Sequence, residues 1–444
     1  MTKKEFKEKI KRGLGSAILE LRAASNIGIY RDIVLWAVLN DTCYDHYFEH
    51  SRGEYLFEAL SYFNDNTFFE EAIIKKYNSK TNKTHDFAQL TEMLFYFAEK
   101  ESAKAKETLY KKYSELCEII LNNKRLLLIK EKETIEQKML ENVCVWLTSL
   151  DGYNAFKQIV KDLTKYYLHN KGNEHFEWFW FFENSFDKFG KKRVLKYLRQ
   201  KGIAYEPYDF KKRDEQEKTF SLQEIIDLCS KKLSWRERFD VNRFGRTATA
   251  EELAKSVEYI IAEPNLDVKA NLLEIFKRTP FCSDINCIIE YSKTDHKKLK
   301  TISFRILEET VCDAVHNYAV ELIADNKDIS DAIKLLCKNF KKNDAELLSR
   351  AVKKLRLSYN AGVWYNAFFD VTRLIRKNKN APFQLLEYLY ENTLCSYCRE
   401  NIVENIVKRK LPCVTRILEE GKYDSNDDIR TFAYKRIKCY NKPL

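Results

Sequence analysis

A polar segment, residues 40–55 (NDTCYDHYFEHSRGEY), concentrates the side chains best suited to chemistry. It directly follows the apolar run Ile33–Leu39, so its charged groups begin at the edge of a core. On a helix each residue turns by about 100°, which would bring four charged side chains within an arc of about 80°: Asp41, Asp45, Glu49 and Arg52. The pattern indicates either an arginine–carboxylate network or a ligand site.

The same segment contains two histidines, His46 and His50, at i, i+4 spacing. That spacing can place two imidazoles on one metal ion. However, the HExxH arrangement is missing, and Gly53 interrupts the helix pattern. We therefore expect a structural network closed by Arg52, with no metal and no cofactor. The alternative is a binding site that contains Trp36, Asp41, Asp45 and Arg52.

Cys395 and Cys398, in the sequence CSYC, are separated by two residues and form a CxxC pattern. A zinc site of this kind needs a second pair of ligands, and a thioredoxin-like site needs a βαβ context. The sequence around CSYC has neither feature. We expect core or surface thiols here.

A basic stretch, KFGKKRVLKYLRQKG at 188–202, carries seven Lys and Arg residues and no acid between Lys188 and Lys201. Helical spacing turns Val194, Leu195 and Leu198 inward, and it leaves four cations together on the outside: Lys188, Lys192, Lys196 and Arg199. This outer face is typical of an ordinary solvated helix, and phosphate binding is the alternative.

The sequence contains no GxxxxGK[ST], GxGxxG, GxSxG or HExxH motif. The enzyme classes that these motifs announce are disfavoured. We assign no catalytic residue and expect a non-enzymatic protein.

The elements that position these residues are all helical. Only 11 Gly and 6 Pro occur in 444 residues, too few for the turns of a β-rich protein. Residues 294–325 read as two short amphipathic helices, with Asp295 and Asp313 as the expected N-caps. Such a pair cannot bury its apolar face alone, which implies stacked copies.

Weak copies of this unit recur in the C-terminal half. Val268 and Leu299 occupy equivalent positions 31 residues apart, as do Cys398 and Ile429. Two more degenerate units begin near 328 and 361. With its signature clearest in DDIRTFAYKRI at 427–437, this region resembles the HEAT class of repeats. The resemblance implies an all-α fold, an α-α superhelix or solenoid of paired antiparallel helices, and carries no chemistry of its own.

Three regions follow from these patterns. Residues 1–202 form an N-terminal helical domain, either a diverged part of the solenoid or a helical cap. The charged segment 203–220 is the predicted linker, and residues 221–444 are the HEAT-like repeats.

Composition and charge limit the possible partners and the cellular location of the protein. The net charge of +11 is spread along the chain without a basic tail, so it favours nucleic-acid binding only slightly. The 12 cysteines follow no disulfide-framework spacing, and no apolar run reaches the ~18 residues of a membrane span. We expect a cytoplasmic protein that does not cross a membrane.

The leading functional hypothesis is a scaffold or adaptor that binds a protein partner on a concave helical surface. The alternative is a nucleic-acid-binding or base-modifying protein. The helical array is similar in outline to the HEAT-like alkylpurine DNA glycosylases, a resemblance of architecture that implies a tryptophan and an aspartate at the site. The residues nominated for that site are Trp36 with Asp41, or Trp178 and Trp180.

Overall fold

The computed structural model describes residues 1–49, 51–79, 84–122, 134–169, 179–203, 205, 220–355 and 361–440. In these residues the regular structure is all α-helix and 3-10 helix, without strands. None of the helices in the described ranges is both long and apolar enough to cross a membrane. The predicted all-α class is confirmed.

The chain divides into two compact units. Unit 1 comprises Met1–Tyr208 and Leu394–Leu444, and unit 2 comprises Asp209–Thr393. Residues 394–440 therefore pack with the N-terminal part of the chain. The division predicted from sequence stays a prediction, since most of its linker, residues 204 and 206–219, lies outside the described residues.

The helices of unit 1 fall into an N-terminal and a C-terminal group. The N-terminal group is α1 (Lys3–Arg12), α2 (Gly15–Ala23), α3 (Arg31–Leu39), α4 (Gly53–Ser61), α5 (Asn66–Tyr77), α6 (Thr84–Glu99), α7 (Ala103–Asn122), α8 (Ile135–His169), α9 (Phe179–Phe189) and α10 (Lys191–Gln200). The C-terminal helices of this unit are numbered last, as α22 (Ser396–Lys408), α23 (Val414–Gly421) and α24 (Asp427–Tyr440).

Apolar side chains from α1 to α10 form one continuous core in unit 1. The apolar run of α3 turns Val34, Ala37 and Val38 fully into this core, while Trp36 is half-buried. In the aromatic helix α9, Phe181 and Phe182 are buried as predicted for a core helix. The residues before it, 170–178, lie outside the described ranges. Helix α8 bends at Gly152, whose φ is 65°.

Unit 2 contains the helices between these two groups. They are α11 (Leu222–Cys229), α12 (Trp235–Thr247), α13 (Ala250–Ala262), α14 (Leu266–Leu273), α15 (Ile285–Ser292), α16 (Lys297–Glu309), α17 (Asp313–Ala324), α18 (Ile329–Lys338), α19 (Ala345–Leu355), α20 (Ala361–Lys377) and α21 (Leu385–Asn392).

Helices α14, α16, α18 and α20 pack side by side. Helices α15 and α17 contact each other, and each also packs on the helix that follows it, α16 and α18. Alternate helices thus form two layers. The predicted pair at 294–325 is present as α16 and α17. Its predicted caps are wrong by one residue: His296 caps α16, accepting from the Leu299 N–H at 3.3 Å, and Asp313 is the first residue inside α17.

The equivalent positions of the repeated unit, which we call the repeat template, also locate the helix starts. The six helices that carry it begin at 266, 297, 329, 361, 396 and 427, which places consecutive starts 31 to 35 residues apart. The first four belong to unit 2 and the last two to unit 1.

Candidate functional site

The polar segment after α3 is not a helix. The described residues 40–49 and 51–52 form turns, bends and irregular backbone, and α4 begins at Gly53. The helical arc expected for its charged residues is therefore wrong. The physical reason is local: the carboxylates accept hydrogen bonds from nearby backbone N–H groups, which competes with helix formation.

Three carboxylates make these local bonds. Asp41 accepts from the N–H of Cys43 at 3.1 Å, and Asp45 accepts from the N–H of Tyr47 at 3.0 Å. Glu49 Oε1 accepts from the N–H groups of residues 44 and 45, both at 2.8 Å. The segment is thus folded around its own acidic side chains.

Arg52 and Glu49 form a fully buried ion pair. The Arg52 Nη2–Glu49 Oε2 distance is 2.8 Å, and the side chains are 1% and 0% exposed. Arg52 also donates to the backbone carbonyls of Lys11 and Leu394, and Glu49 accepts from the N–H of Ser396 at 2.9 Å. Burial by itself would raise the pKa of Glu49, but Arg52 and the Ser396 N–H outweigh burial and lower it to about 2.

A second buried pair lies in the same unit, between Arg399 on α22 and Asp424 in the α23–α24 turn. Arg399 donates from Nε at 2.8 Å and from Nη2 at 2.9 Å to the two carboxylate oxygens, and both side chains are 0% exposed. Arg399 Nη2 also donates to the carbonyl of Gly13, 3.2 Å away. Gly13 has φ 69°, and a Cβ there would lie 2.0 Å from Ser425 Oγ.

These four side chains form what we call the buried charge network: Glu49, Arg52, Arg399 and Asp424. Arg52 donates to a carbonyl in the last turn of α1, and Arg399 donates to the carbonyl of Gly13, which follows that helix. Both pairs also bond to the segment 394–424. The network therefore joins the start and the end of the sequence within unit 1. Its charges are paired and shielded from solvent, which is the arrangement of a structural network.

His46 of this segment lies at the surface. His46 Nε2 is 3.0 Å from Asp41 Oδ2, and its ring stacks on His85 with centroids 3.6 Å apart. Burial, followed by the adjacent His46, lowers the pKa of His85. No group of three metal-ligating side chains occurs in the described ranges, and His50 lies outside them.

Of the tryptophans and aspartates nominated for a glycosylase-like site, Trp36 lies on α3 with Lys7 Nζ 4.4 Å from its ring centroid. Asp41 pairs with His46 instead, and Asp45 caps its own turn. Trp178 lies outside the described residues, as does the side chain of Trp180.

The CxxC thiols lie at the start of α22. Cys395 is the N-cap and is buried, and its Sγ accepts from the N–H of Cys398 at 3.4 Å. A hydrogen bond with the Cys398 thiol, together with burial, raises the pKa of Cys395. A protonated, buried thiol is a weak nucleophile, as the predicted core role requires.

The basic stripe, which we define as Lys192, Lys196 and Arg199, lies exposed along α10. On the opposite side Val194 and Leu198 are fully buried, as predicted, whereas Leu195 of the predicted inner face is only half-buried. None of the three cations has an ion-pair partner in the part of the chain that the structure describes. Their charge is therefore open to an external anion.

A different surface of unit 2 was not predicted from the sequence. Helices α16, α18 and α20 enclose a cleft of about 470 Å³. We call it the charged cleft; its lining residues used below are Lys297, Arg305, Glu308, Asp331, Lys334, Phe369 and Asp370.

A half-buried ion cluster forms one side of the charged cleft. Lys334 Nζ lies 3.0 Å from both Glu308 Oε1 and Asp331 Oδ1. Although burial favours the neutral amine, the two carboxylates raise the pKa of Lys334. Burial raises the pKa of Glu308 and of Asp370. The acids of the cleft are therefore either paired with a cation or held closer to neutrality.

The rest of the cleft is open to a ligand. Lys297 and Arg305 on α16 are exposed and have no ion-pair partner among the described residues. Phe369 on α20, also in the lining, is 52% exposed. An exposed aromatic side chain near two free cations can contact an acidic segment that carries an apolar residue.

Sequence patterns gave little warning of these features. The cleft residues come from three helices about 32 residues apart, and each looks like an ordinary helix surface by itself. In the buried charge network Arg52 was predicted from the sequence. Arg399 had one weaker signal, because it stands at the basic position of the repeat template, as Arg430 does.

No protein-family model matches the chain, and no curated protein matches it either.

Proposed function

We propose that this protein is a non-enzymatic scaffold or adaptor that binds a partner protein in the charged cleft of unit 2. The observation that carries the proposal is the exposed Phe369 in a cleft of about 470 Å³ that also contains Lys297 and Arg305, two cations without an ion-pair partner among the described residues. This volume lies in the range of ~300–1,000 Å³ in which proteins hold ligands.

The chemistry of the cleft favours a protein segment over an apolar small molecule. Small-molecule pockets are lined predominantly by apolar side chains, whereas charged residues make up most of this lining. An extended or helical segment with acidic residues around an apolar anchor would satisfy both Phe369 and the free cations. Charge complementarity would also steer its association.

The arrangement of unit 2 supports a HEAT-like repeat architecture for the scaffold. Its template-bearing helices start at 266, 297, 329 and 361, and alternate helices pack side by side. Repeat arrays present one row of helices to a partner, and here α16, α18 and α20 all line the cleft.

The base-modifying alternative has less support. Asp41 is paired with His46, and Trp36 is half-buried beside Lys7. It stays a prediction, and the basic stripe on α10 is its best local support.

A peptide-display selection tests the proposed function. A random library is panned against the full chain and, in parallel, against a variant carrying Lys297→Glu, Arg305→Glu and Phe369→Ser. We expect the original chain to enrich acidic sequences around one large apolar residue, and the variant to lose that enrichment. Because the three substituted residues are solvent-exposed, the melting temperature should stay nearly unchanged.

Enrichment of the same sequences by both proteins would contradict the proposal, and so would enrichment of none. A matched control carries Lys255→Glu and Tyr259→Ser on α13, where the side chains are also exposed. This control should enrich the same peptides as the original chain.

A further inference from the structure

The outer face of α12, sequence WRERFDVNRFGRT, combines exposed aromatic and basic side chains. Trp235, Phe239 and Arg246 follow i, i+4 and i, i+7 steps along one side of the helix, with Arg238 beside them. We call these four residues the aromatic stripe.

The contacts of α12 with the rest of unit 2 keep this face exposed to solvent. Ser234 caps α12 by accepting from the N–H of Glu237 at 3.3 Å, and Glu237 in turn accepts from the N–H of Ser234 at 2.7 Å. On the inner side Val241 and Phe244 are buried.

A close backbone contact adds to this anchoring. A Cβ at Gly245 would lie only 1.9 Å from the carbonyl oxygen of Ile275, so α12 lies directly on the neighbouring backbone. The helix cannot turn its aromatic residues inward without losing this contact.

Both rings are exposed to solvent. Trp235 is 79% exposed and Phe239 is 52% exposed, and the ring centroids are 6.4 Å apart with an interplanar angle of 25°. Among the described residues with large exposed apolar side chains, Trp235 is more exposed than every other except Tyr47. Large aromatic side chains bury most of their area in stable folds, so two adjacent exposed rings indicate a surface that contacts a ligand.

The surroundings of the rings are positively charged. Arg236, Arg238 and Arg246 are exposed and have no ion-pair partner within the described ranges. The nearby acids are already engaged: Glu237 pairs with Lys231 at 3.2 Å as well as capping the helix, and Asp240 pairs with Arg243 at 3.0 Å. The rings are therefore flanked by cations that lack a counter-charge.

We propose that the aromatic stripe binds single-stranded nucleic acid. Unpaired bases would stack on Trp235 and Phe239, and Arg238 and Arg246 would contact the phosphates on either side. In a duplex the bases are already stacked on one another and offer no free face, so a single strand is the favoured form. This surface lies on α12 and shares no residue with the charged cleft, so the inference is independent of the proposed function.

Fluorescence anisotropy with labelled oligo(dT) and oligo(rU) 20-mers, and with a duplex 20-mer, tests the inference on the full chain. We expect both single strands to bind more tightly than the duplex. Each of Trp235→Ala and Phe239→Ala should weaken single-strand binding by about fivefold or more, the effect of losing one stacked base. Bound oligonucleotide should also quench tryptophan fluorescence, and Trp235→Ala should remove most of that quenching.

The salt dependence of the binding affinity distinguishes base stacking from phosphate contacts. The double variant Arg238→Gln, Arg246→Gln should lower the slope of log affinity against log salt by about 1.4, or ~0.7 for each lost phosphate contact. The aromatic variants should leave that slope unchanged. Tyr259→Ala and Arg278→Gln, exposed residues of the same unit, serve as matched controls and should keep full affinity.

Equal binding of single strands by the original chain and both aromatic variants would overturn the inference. Binding of the duplex as tightly as the single strands would overturn it as well. A third contrary result is a blue shift of Trp235 fluorescence on phosphatidylserine vesicles without any response to oligonucleotides, because the stripe would then contact a membrane surface.

Discussion

Replacing Arg399 by alanine should destabilise unit 1 far more than the loss of a surface ion pair. Arg399 donates two hydrogen bonds, of 2.8 and 2.9 Å, to Asp424, and neither side chain is exposed. After Arg399→Ala the Asp424 carboxylate would keep only the bond from the N–H of Asn426, at 3.0 Å. Stranding a buried charge in this way typically costs ~3–5 kcal/mol.

Hydrogen exchange detected by mass spectrometry measures this loss of stability in unit 1. At 1.36 kcal/mol per tenfold change, a loss of ~3–5 kcal/mol lowers protection by roughly 10²- to 10⁴-fold. We expect the decrease in peptides from α1, α2, α22 and α24. Peptides from α16 and α18 in unit 2 report whether the effect stays local.

Two further variants complete this experiment. Lys104→Ala breaks an exposed pair with Glu71, 3.1 Å long, and should cost at most ~1 kcal/mol. The double variant Arg399→Met, Asp424→Leu removes both charges, so it should recover much of the stability lost by Arg399→Ala. The structural role of the pair would be refuted if Arg399→Ala and Lys104→Ala had equal effects.

Three other outcomes are expected. Arg52→Ala should lower the free energy of unfolding by ~3–5 kcal/mol in urea titrations, whereas His46→Ala should change it by less than ~1 kcal/mol; similar losses from both would contradict the buried network. Burial raises the pKa of Glu92 to about 7 from the ordinary 4.5, so unit 1 should lose stability as the pH rises through 7. Glu92→Gln should flatten this dependence between pH 4.5 and 8, and an unchanged pH profile would refute the burial argument. Reversing the basic stripe to glutamate should abolish retention of duplex DNA at low salt and leave the melting temperature unchanged; undiminished retention would show that the stripe does not contact phosphate.

Helix content and helix starts were the most predictable part of the fold. Apolar spacing and the scarcity of glycine and proline place the template-bearing helices correctly, because each helix must bury one continuous stripe. For the segment 40–52 the same use of residue spacing gives a wrong prediction. Its charged residues have helical spacing, yet their carboxylates bind backbone N–H groups locally, and spacing alone cannot show that competition.

Partners distant in sequence were the least predictable part of the candidate sites. Arg52 was identified as the arginine that compensates buried carboxylate, and Glu49 is its partner. The contacts of Arg52 with Leu394 and of Glu49 with Ser396 join residues more than 340 positions apart. No local pattern encodes such pairs. The exposure of Phe369 depends likewise on how α16, α18 and α20 pack, and not on the sequence of α20 alone.

Photo-crosslinking from the charged cleft tests the central claim most directly. Phe369 is replaced by photoreactive benzoylphenylalanine in the full chain, and the protein is irradiated in the cells that produce it. The account predicts a discrete covalent adduct with a protein, through an acidic segment of that protein, and its loss when Lys297→Glu and Arg305→Glu are added. The same photoreactive group at Tyr434, which is 51% exposed on α24, should give no such adduct. A cleft position that forms no protein adduct, or forms one equally well with both charges reversed, would contradict the scaffold function proposed for this chain.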